Sequence, residues 1–414
     1  MDRREFLKAG LFSLGMFIPG TQGWAYSNGK QNGGHKLVVV FLRGAIDGLN
    51  VVAPYGDERY YQIRQSIAIP RPGSEGSLLD LDGYFGLNPA LQPLLPLWQN
   101  KQLAFVHASG SPDETRSHFD AQDYMESGVP GVKSISTGWL NRLLTQLPDN
   151  QSPIRAINVG PTLPRILEGP ATVGMASGAL NGNARPINLP ENSPLMQMYG
   201  NRSDALGAAF RNGVDAQNQI AGDLNNGDSA GGGDDRMMRA SKGAPSPVAF
   251  PNFGAKIAKL THDPSVQVAF VALGGWDTHI NQGASKGQLA NKLTGLGKGL
   301  AEMVKAMGSD FENTTILVMS EFGRTAKENG NGGTDHGHGN VMWVLGGAVN
   351  GGKVYGRFSS LADRDLHESR DLPVTTDFRT VLSSVISEHL ELSSKSLAQV
   401  FPEFTARERL ALLT

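Results

Sequence analysis

The segment GGTDHGHGN, residues 332–340, sets Asp335, His336 and His338 among glycines. Carboxylates and imidazoles are the natural ligands of zinc, manganese and related ions, and oxygen-rich sets lean toward magnesium or calcium. Two imidazoles one residue apart, flanked by glycines, are poorly explained by core packing. Residues of the same types recur in RGAIDGLN, which holds Asp47, in GGWDTH, which holds Asp277 and His279, and in SEFGRT, which holds Glu321. Each has an ordinary alternative. Asp47 suits a helix N-cap or a turn, Asp277 a turn closed by its own side chain, and Glu321 an ion pair with Arg324 three residues on. The joint pattern is what points to a shared metal pocket.

A different chemistry is suggested by TRSHFDAQDYMESG, residues 115–128. Ser117 stands at the start of a helix expected over 118–127, where backbone N–H groups favour an anion. There it suits a nucleophile attacking phosphate or sulfate, activated by an adjacent metal. It equally suits an N-cap, with Asp120 as a capping partner. Arg116, and Arg43 further upstream, are candidates to clamp an anionic ester.

These residues need elements to bring them together. Lys36 to Leu42 (KLVVVFL) is a continuous apolar run rich in β-branched residues, the pattern of a strand buried on both faces. Similar runs occupy 103–107, 154–159, 266–273, 315–319 and 341–345. Residues 285–307 and 378–390 carry apolar positions every three or four residues, as helices do. The alternation predicts an α/β fold, a mostly parallel central sheet sandwiched between helices. Ligands of such sheets sit beyond the carboxyl ends of the strands. Asp47, Asp277, His279 and Glu321 each follow one of the runs. Residues 225–247, rich in Gly, Asp and Ser, form a loop or linker without periodicity. A single sheet is expected to draw strands from both sides of it, giving one domain over 26–414 with a flexible loop at about 223–247.

Composition limits the partners. Lys plus Arg number 37 and Asp plus Glu 39, so no global field favours nucleic acid or an anionic membrane. The N-terminus, MDRREFLKAGLFSLGMFIPGTQGWAYS, pairs Arg3 and Arg4 with an apolar stretch and reads as a twin-arginine export signal ending near Ala25. Its apolar core is shorter than the ~20 residues a membrane span needs. Export predicts a periplasmic or secreted protein that meets the twin-arginine translocase in transit. The chain has no cysteine, so stability comes from its core or from bound metal.

Taken together, FLRGAIDGLN, RSHFDAQDYMESG, GWDTHINQ, SEFGRTAKENGNGGTDHGHGN and TTDFRTVL resemble the bacterial family of domain of unknown function 1501. That family is grouped with the alkaline phosphatase and sulfatase superfamily. The resemblance implies a one- or two-metal centre at the strand ends. Asp47 then corresponds to the first-strand metal aspartate, Ser117 to the Ser or Thr nucleophile, and Asp277 with His279 to ligands of one metal. DHGHGN is similar to the Asp-His-Gly-Asn motif of the cofactor-independent phosphoglycerate mutases, with His338 as a further ligand. Two departures stand out. Asp277 and His279 are closer in sequence than the superfamily's Asp and His, and Glu321-Phe322 replaces an Asp-His pair. The expectation is a metal-dependent hydrolase or transferase of phosphate or sulfate esters, holding zinc or manganese, or alternatively magnesium or calcium. The alternative is a non-catalytic exported binding or assembly protein with a structural metal, whose partner is another exported protein.

Overall fold

The computed structural model describes residues 34–148, 152–176, 189–190, 193–224 and 241–414. The export signal assigned to residues 1–25 and residues 225–240 of the polar segment lie outside them.

Nine strands form one sheet. In chain order they are β1 (Lys36–Leu42), β2 (Leu103–Gly110), β3 (Ala156–Val159), β4 (Gly174–Met175), β5 (Val268–Leu273), β6 (Thr314–Ser320), β7 (Asn340–Gly346), β8 (Lys353–Tyr355) and β9 (Thr376–Asp377). Their spatial order is β8-β2-β7-β6-β1-β5-β3-β4, with β9 also paired to β2. Strands from both sides of the polar segment therefore share the sheet. β1 lies between β5 and β6 and pairs with both in parallel, Val40 opposite Val271 on one side and Val318 on the other. β7 runs antiparallel to both its neighbours, β2 and β6. All other pairings in this sheet are parallel.

A central strand flanked on both sides must bury both of its faces, and every residue of β1 is buried. Val38, Val40 and Leu42 point into one core, which also holds Phe253 and Ile257 of α4 (Pro251–His262) and Leu289, Leu293, Leu296 and Leu300 of α5 (Gln288–Met307). Leu37, Val39 and Phe41 point into the other, with Trp139 and Leu143 of α2 (Trp139–Gln146) and Phe378, Val381 and Leu382 of α6 (Phe378–His389). The period of two along the strand thus divides its side chains between two helical layers. The 20-residue α5 repeats apolar positions at three and four residues because only one stripe meets the sheet.

Two further helices bear on the site and the described boundary. α1 (His118–Ser127) follows β2, and α3 (Ala205–Leu224) precedes the undescribed segment. A short helix, Gly48–Val51, follows β1 and takes Asp47 as its N-cap residue. Among the described residues no helix is long and apolar enough to cross a membrane.

Candidate metal centre

Three imidazoles meet at the carboxyl edge of the sheet. His118 is the first residue of α1, His279 comes from the loop after β5, and His336 from the segment before β7. That last placement depends on strand direction. β7 is antiparallel to its neighbours, so its first residue lies at the edge where β2 and β6 finish.

Each ring is held from behind through Nδ1. His118 Nδ1 donates to Glu321 Oε1 at 2.8 Å, His279 Nδ1 to Asp335 Oδ1 at 3.0 Å, and His336 Nδ1 to the Arg116 carbonyl at 2.8 Å. Carboxylate and carbonyl oxygens only accept here, so Nδ1 carries the proton in every ring. A neutral imidazole then presents a lone pair at Nε2. Those three Nε2 atoms converge. His336 Nε2 is 3.1 Å from that of His118 and 3.0 Å from that of His279. Asp277 joins them, Oδ1 standing 3.0 Å from His279 Nε2 and 3.3 Å from His336 Nε2, and Oδ2 3.5 Å from His118 Nε2.

Three lone pairs and a carboxylate repel one another unless positive charge stands among them. A proton is one source. Burial alone would disfavour a charged His118, but Asp277 and Glu321 outweigh it and raise its pKa to about 9. A divalent cation is the other source, and the donor set fits one: ligand atoms of His118, Asp277 and His336 all lie within 4.8 Å of one another. Nitrogen donors backed by carboxylates and a carbonyl are the arrangement seen behind metal-bound histidines. Imidazole nitrogens suit zinc and similar transition ions better than magnesium or calcium.

The surroundings fix this geometry. Glu321 is fully buried, and its Oε1 also accepts from Gly44 N at 2.8 Å and Gln122 Nε2 at 2.9 Å. Burial opposes its charge, yet the His118 and Gln122 bonds win and lower its pKa. Asp277, though desolvated, is pulled far below the usual carboxylate range by His118, His336 and Arg324. Arg324 bonds Asp277 Oδ1 and the carbonyls of Ala45 and Gly44. Trp276, fully buried, donates Nε1 to the Leu273 carbonyl at 3.0 Å and anchors the Asp277 loop to the end of β5.

The segment GGTDHGHGN forms the second arm of a short antiparallel pairing with residues 323–325. Gly323 N donates to the His338 carbonyl at 2.8 Å, Gly337 N to the Gly323 carbonyl at 2.9 Å, and Thr325 N to the Asp335 carbonyl at 2.9 Å. Its glycines are needed for close approach. A Cβ on Gly337 would overlap the Arg324 backbone, and one on Gly333 the His279 backbone.

The residues singled out by sequence therefore separate into groups. Asp277, His279 and His336 are brought together. Glu321 and Asp335 stand behind histidines, as orienting carboxylates. Asp47 is placed differently from the expectation of a metal ligand: both its oxygens are engaged by Arg64, at 2.6 and 3.0 Å, and Oδ2 also accepts from Gln282 at 2.6 Å. Fully buried, it serves as the counter-charge of Arg64. His338 lies instead against His367, ring centroids 5.0 Å apart and planes tilted at 35°. Burial, and then His367, lower its pKa. Ser117 caps α1, its Oγ accepting a long 3.5 Å bond from Asp120 N. The Arg116 guanidinium is taken by Glu368 and Asp371 at 2.5 and 2.7 Å, and Arg43 bonds Gln122 at 2.5 Å and Glu126 at 2.8 Å, so both predicted anion clamps are engaged. Glu321 and Arg324 do not pair, because each is drawn to a different member of the centre.

His118 is the member that sequence reasoning passed over. It adjoins Ser117 in a stretch already singled out, and its being a histidine at a helix start beyond a strand was the available signal.

Fold and site together define an α/β protein with a histidine-rich centre at one edge of its sheet. Residues 84–401 match the model of the DUF1501 family, described as proteins of unknown function, and the chain belongs to that family. Comparison with curated proteins gave no match. Among solved structures, the C-terminal periplasmic domain of EptC from Escherichia coli is 11% identical over 92% of this chain and 91% of that one, with a TM-score of 0.40. The lipoteichoic acid synthase LtaP from Listeria monocytogenes is 11% identical over 81% and 72%, TM-score 0.34. The PsFucS1 sulfatase from Pseudoalteromonas sp. is 11% identical over 81% and 66%, TM-score 0.33. Likenesses this loose carry no functional argument.

Proposed function

We propose that the chain is an exported, metal-dependent hydrolase or transferase of phosphate or sulfate esters, its metal held by His118, Asp277, His279 and His336. The observation that carries the reading is the convergence of three Nε2 atoms on one carboxylate, each ring fixed through Nδ1. A divalent cation there would lower the pKa of an attacking hydroxyl and neutralise charge on the ester. The protein's own residues then have separate tasks. Glu321 and Asp335 hold the rings in one orientation, and Arg324 fixes Asp277. Ser117 sits between Arg116, whose carbonyl receives His336, and His118. Among the described residues its hydroxyl is held by the long bond to Asp120 N, which would leave it free to act as nucleophile. Export rests on the Arg3-Arg4 signal.

The engagement of Arg116 and Arg43 by carboxylates favours a second reading, an exported binding or assembly protein with a structural metal. One series of measurements separates them. Elemental analysis of the purified protein should find zinc or manganese, lost in His336→Ala. Absence of metal, with no rise in Tm on adding either ion, defeats both readings. With metal present, p-nitrophenyl phosphate, p-nitrophenyl sulfate and bis(p-nitrophenyl) phosphate should include a substrate, and Ser117→Ala should abolish its turnover while retaining metal. Turnover surviving in that variant removes Ser117 as nucleophile, and no turnover of any ester leaves the second reading.

A further inference from the structure

A cavity of about 260 Å³ opens where the parallel strands β1, β5 and β3 end. Arg43 comes to it from the end of β1, Asn158 and Val159 from β3, and Phe270 and Ala272 from β5. Ligands of α/β sheets collect in such crevices. Its volume approaches the roughly 300 Å³ at which small-molecule pockets begin. None of the four converging residues of the metal centre lines it. Two sets of hydrogen bonds nevertheless join its wall to that centre. Arg43 Nη1 donates to Gln122 Oε1 at 2.5 Å and Gln122 Nε2 to Glu321 Oε1 at 2.9 Å, the oxygen that holds His118. On the other side Gly274 N donates to the Pro245 carbonyl at 2.9 Å and Gly275 N to Ser241 Oγ at 3.1 Å, just ahead of Asp277.

The charges on the wall do not balance from within. Arg43 is buried, yet its contacts with Gln122 and with Glu126 Oε1, the latter at 2.8 Å, use Nη1 alone. The N–H groups of Nε and Nη2 meet no acceptor among the described residues, which is unfavourable in a buried guanidinium. Lys242 brings a second positive charge to the same carboxylate, its Nζ 3.6 Å from Glu126 Oε1, while Glu126 Oε2 accepts from Ile166 N at 3.1 Å. Two cations thus face one buried anion. Of the carboxylates on the lining, Asp123 is paired with Arg165 at 2.9 Å, and Glu168 is exposed, where water and salt screen its charge. The inner wall is left short of one negative charge. Phe270 and Leu163 give the same cavity an apolar surface.

We propose that this cavity is a second binding site, for a small organic acid whose oxyanion lies on Arg43 and Lys242 and whose apolar body lies along Phe270 and Leu163. The planar fork of a guanidinium matches two oxygens of a carboxylate, sulfate or phosphate, and the ammonium adds a point charge. The site lies beyond the ester centre and does not depend on its chemistry.

The test is calorimetric titration of benzoate, phenyl phosphate and phenyl sulfate into the full chain, the three acids separating the three head groups. At least one should bind at a single site in wild type, and with the same affinity in His336→Ala, which disrupts the metal centre. Lys242→Gln should weaken that binding by about tenfold, the value of one charged hydrogen bond, and Lys242→Arg should restore most of it. Glu126 keeps Arg43 in both variants, so Tm should match that of wild type. Binding of none of the three acids overturns the proposal, as does an affinity unchanged by Lys242→Gln. Binding that survives Lys242→Gln but is lost in His336→Ala places the acid at the metal and overturns it too. If His336→Ala does not fold, wild type treated with a chelator takes its place. Absence of metal or of ester turnover counts against the reading of the centre alone, because the titration of the cavity requires neither.

Discussion

At the residue scale, the centre depends on groups that never reach its middle. Glu321 receives hydrogen bonds from Gly44, Gln122 and His118, so Glu321→Gln sets an amide NH2 or a neutral oxygen against them. Loss of a partner behind a metal-binding histidine typically weakens metal affinity about 10–100-fold, and a competition titration with a chelator should find a change of that size. Asp47 gives the opposite result. Asp47→Asn leaves Arg64 buried beside a neutral partner, which should destabilise the fold by about 3–5 kcal/mol in urea unfolding, as breaking a buried pair does. Metal content should stay the same, and a drop in it would restore Asp47 as a ligand. The two carboxylates follow similar apolar runs in similar settings. Nothing in the spacing of Asp47 announces that Arg64, 17 residues on, will take both its oxygens.

At the scale of elements, the strands were legible because burial on two faces forces an apolar run, and KLVVVFL is β1 to the residue. The helix His118–Ser127 was equally readable, with Ser117 at its cap. Direction was not. The run 341–345 has the same composition whether β7 lies parallel or antiparallel, and only pairing with β2 and β6 decides it. α2 and α4 also escaped notice, since short amphipathic stretches resemble loop sequence until a sheet is there to cover. The glycines of GGTDHGHGN mark where backbones touch. A methyl at Gly323 would overlap the Gly339 carbonyl, so Gly323→Ala should part the two arms and reduce metal content along with Tm. Gly213, inside α3, meets no atom within 4 Å, and Gly213→Ala should instead stabilise by up to about 1 kcal/mol. Thermal unfolding with parallel metal analysis compares the two.

At the scale of the whole molecule, two buried histidines set a limit toward acid. His107 is fully buried, Nε2 donating to the Val52 carbonyl at 3.0 Å while Nδ1 accepts from Ala108 N at 3.0 Å. A second proton would face that N–H, and burial lowers the pKa to about 4. Burial does the same to His389, also to about 4. Both pKa values lie below the unfolded value of about 6.5, so the unfolded chain binds more protons between them. Their contribution to stability is complete above pH 6.5 and is lost as pH falls toward 4. Urea midpoints measured at pH 7 and pH 5 should fall accordingly, and His107→Gln should flatten the slope. The antiparallel course of β7 has a consequence for synthesis. His336 is the last of the four converging residues to leave the ribosome, 218 positions after His118, and it reaches the centre only when β7 inserts between β2 and β6. A nascent chain therefore cannot complete the donor set until most of its length has been translated, so that a metal bound there would mark finished folding.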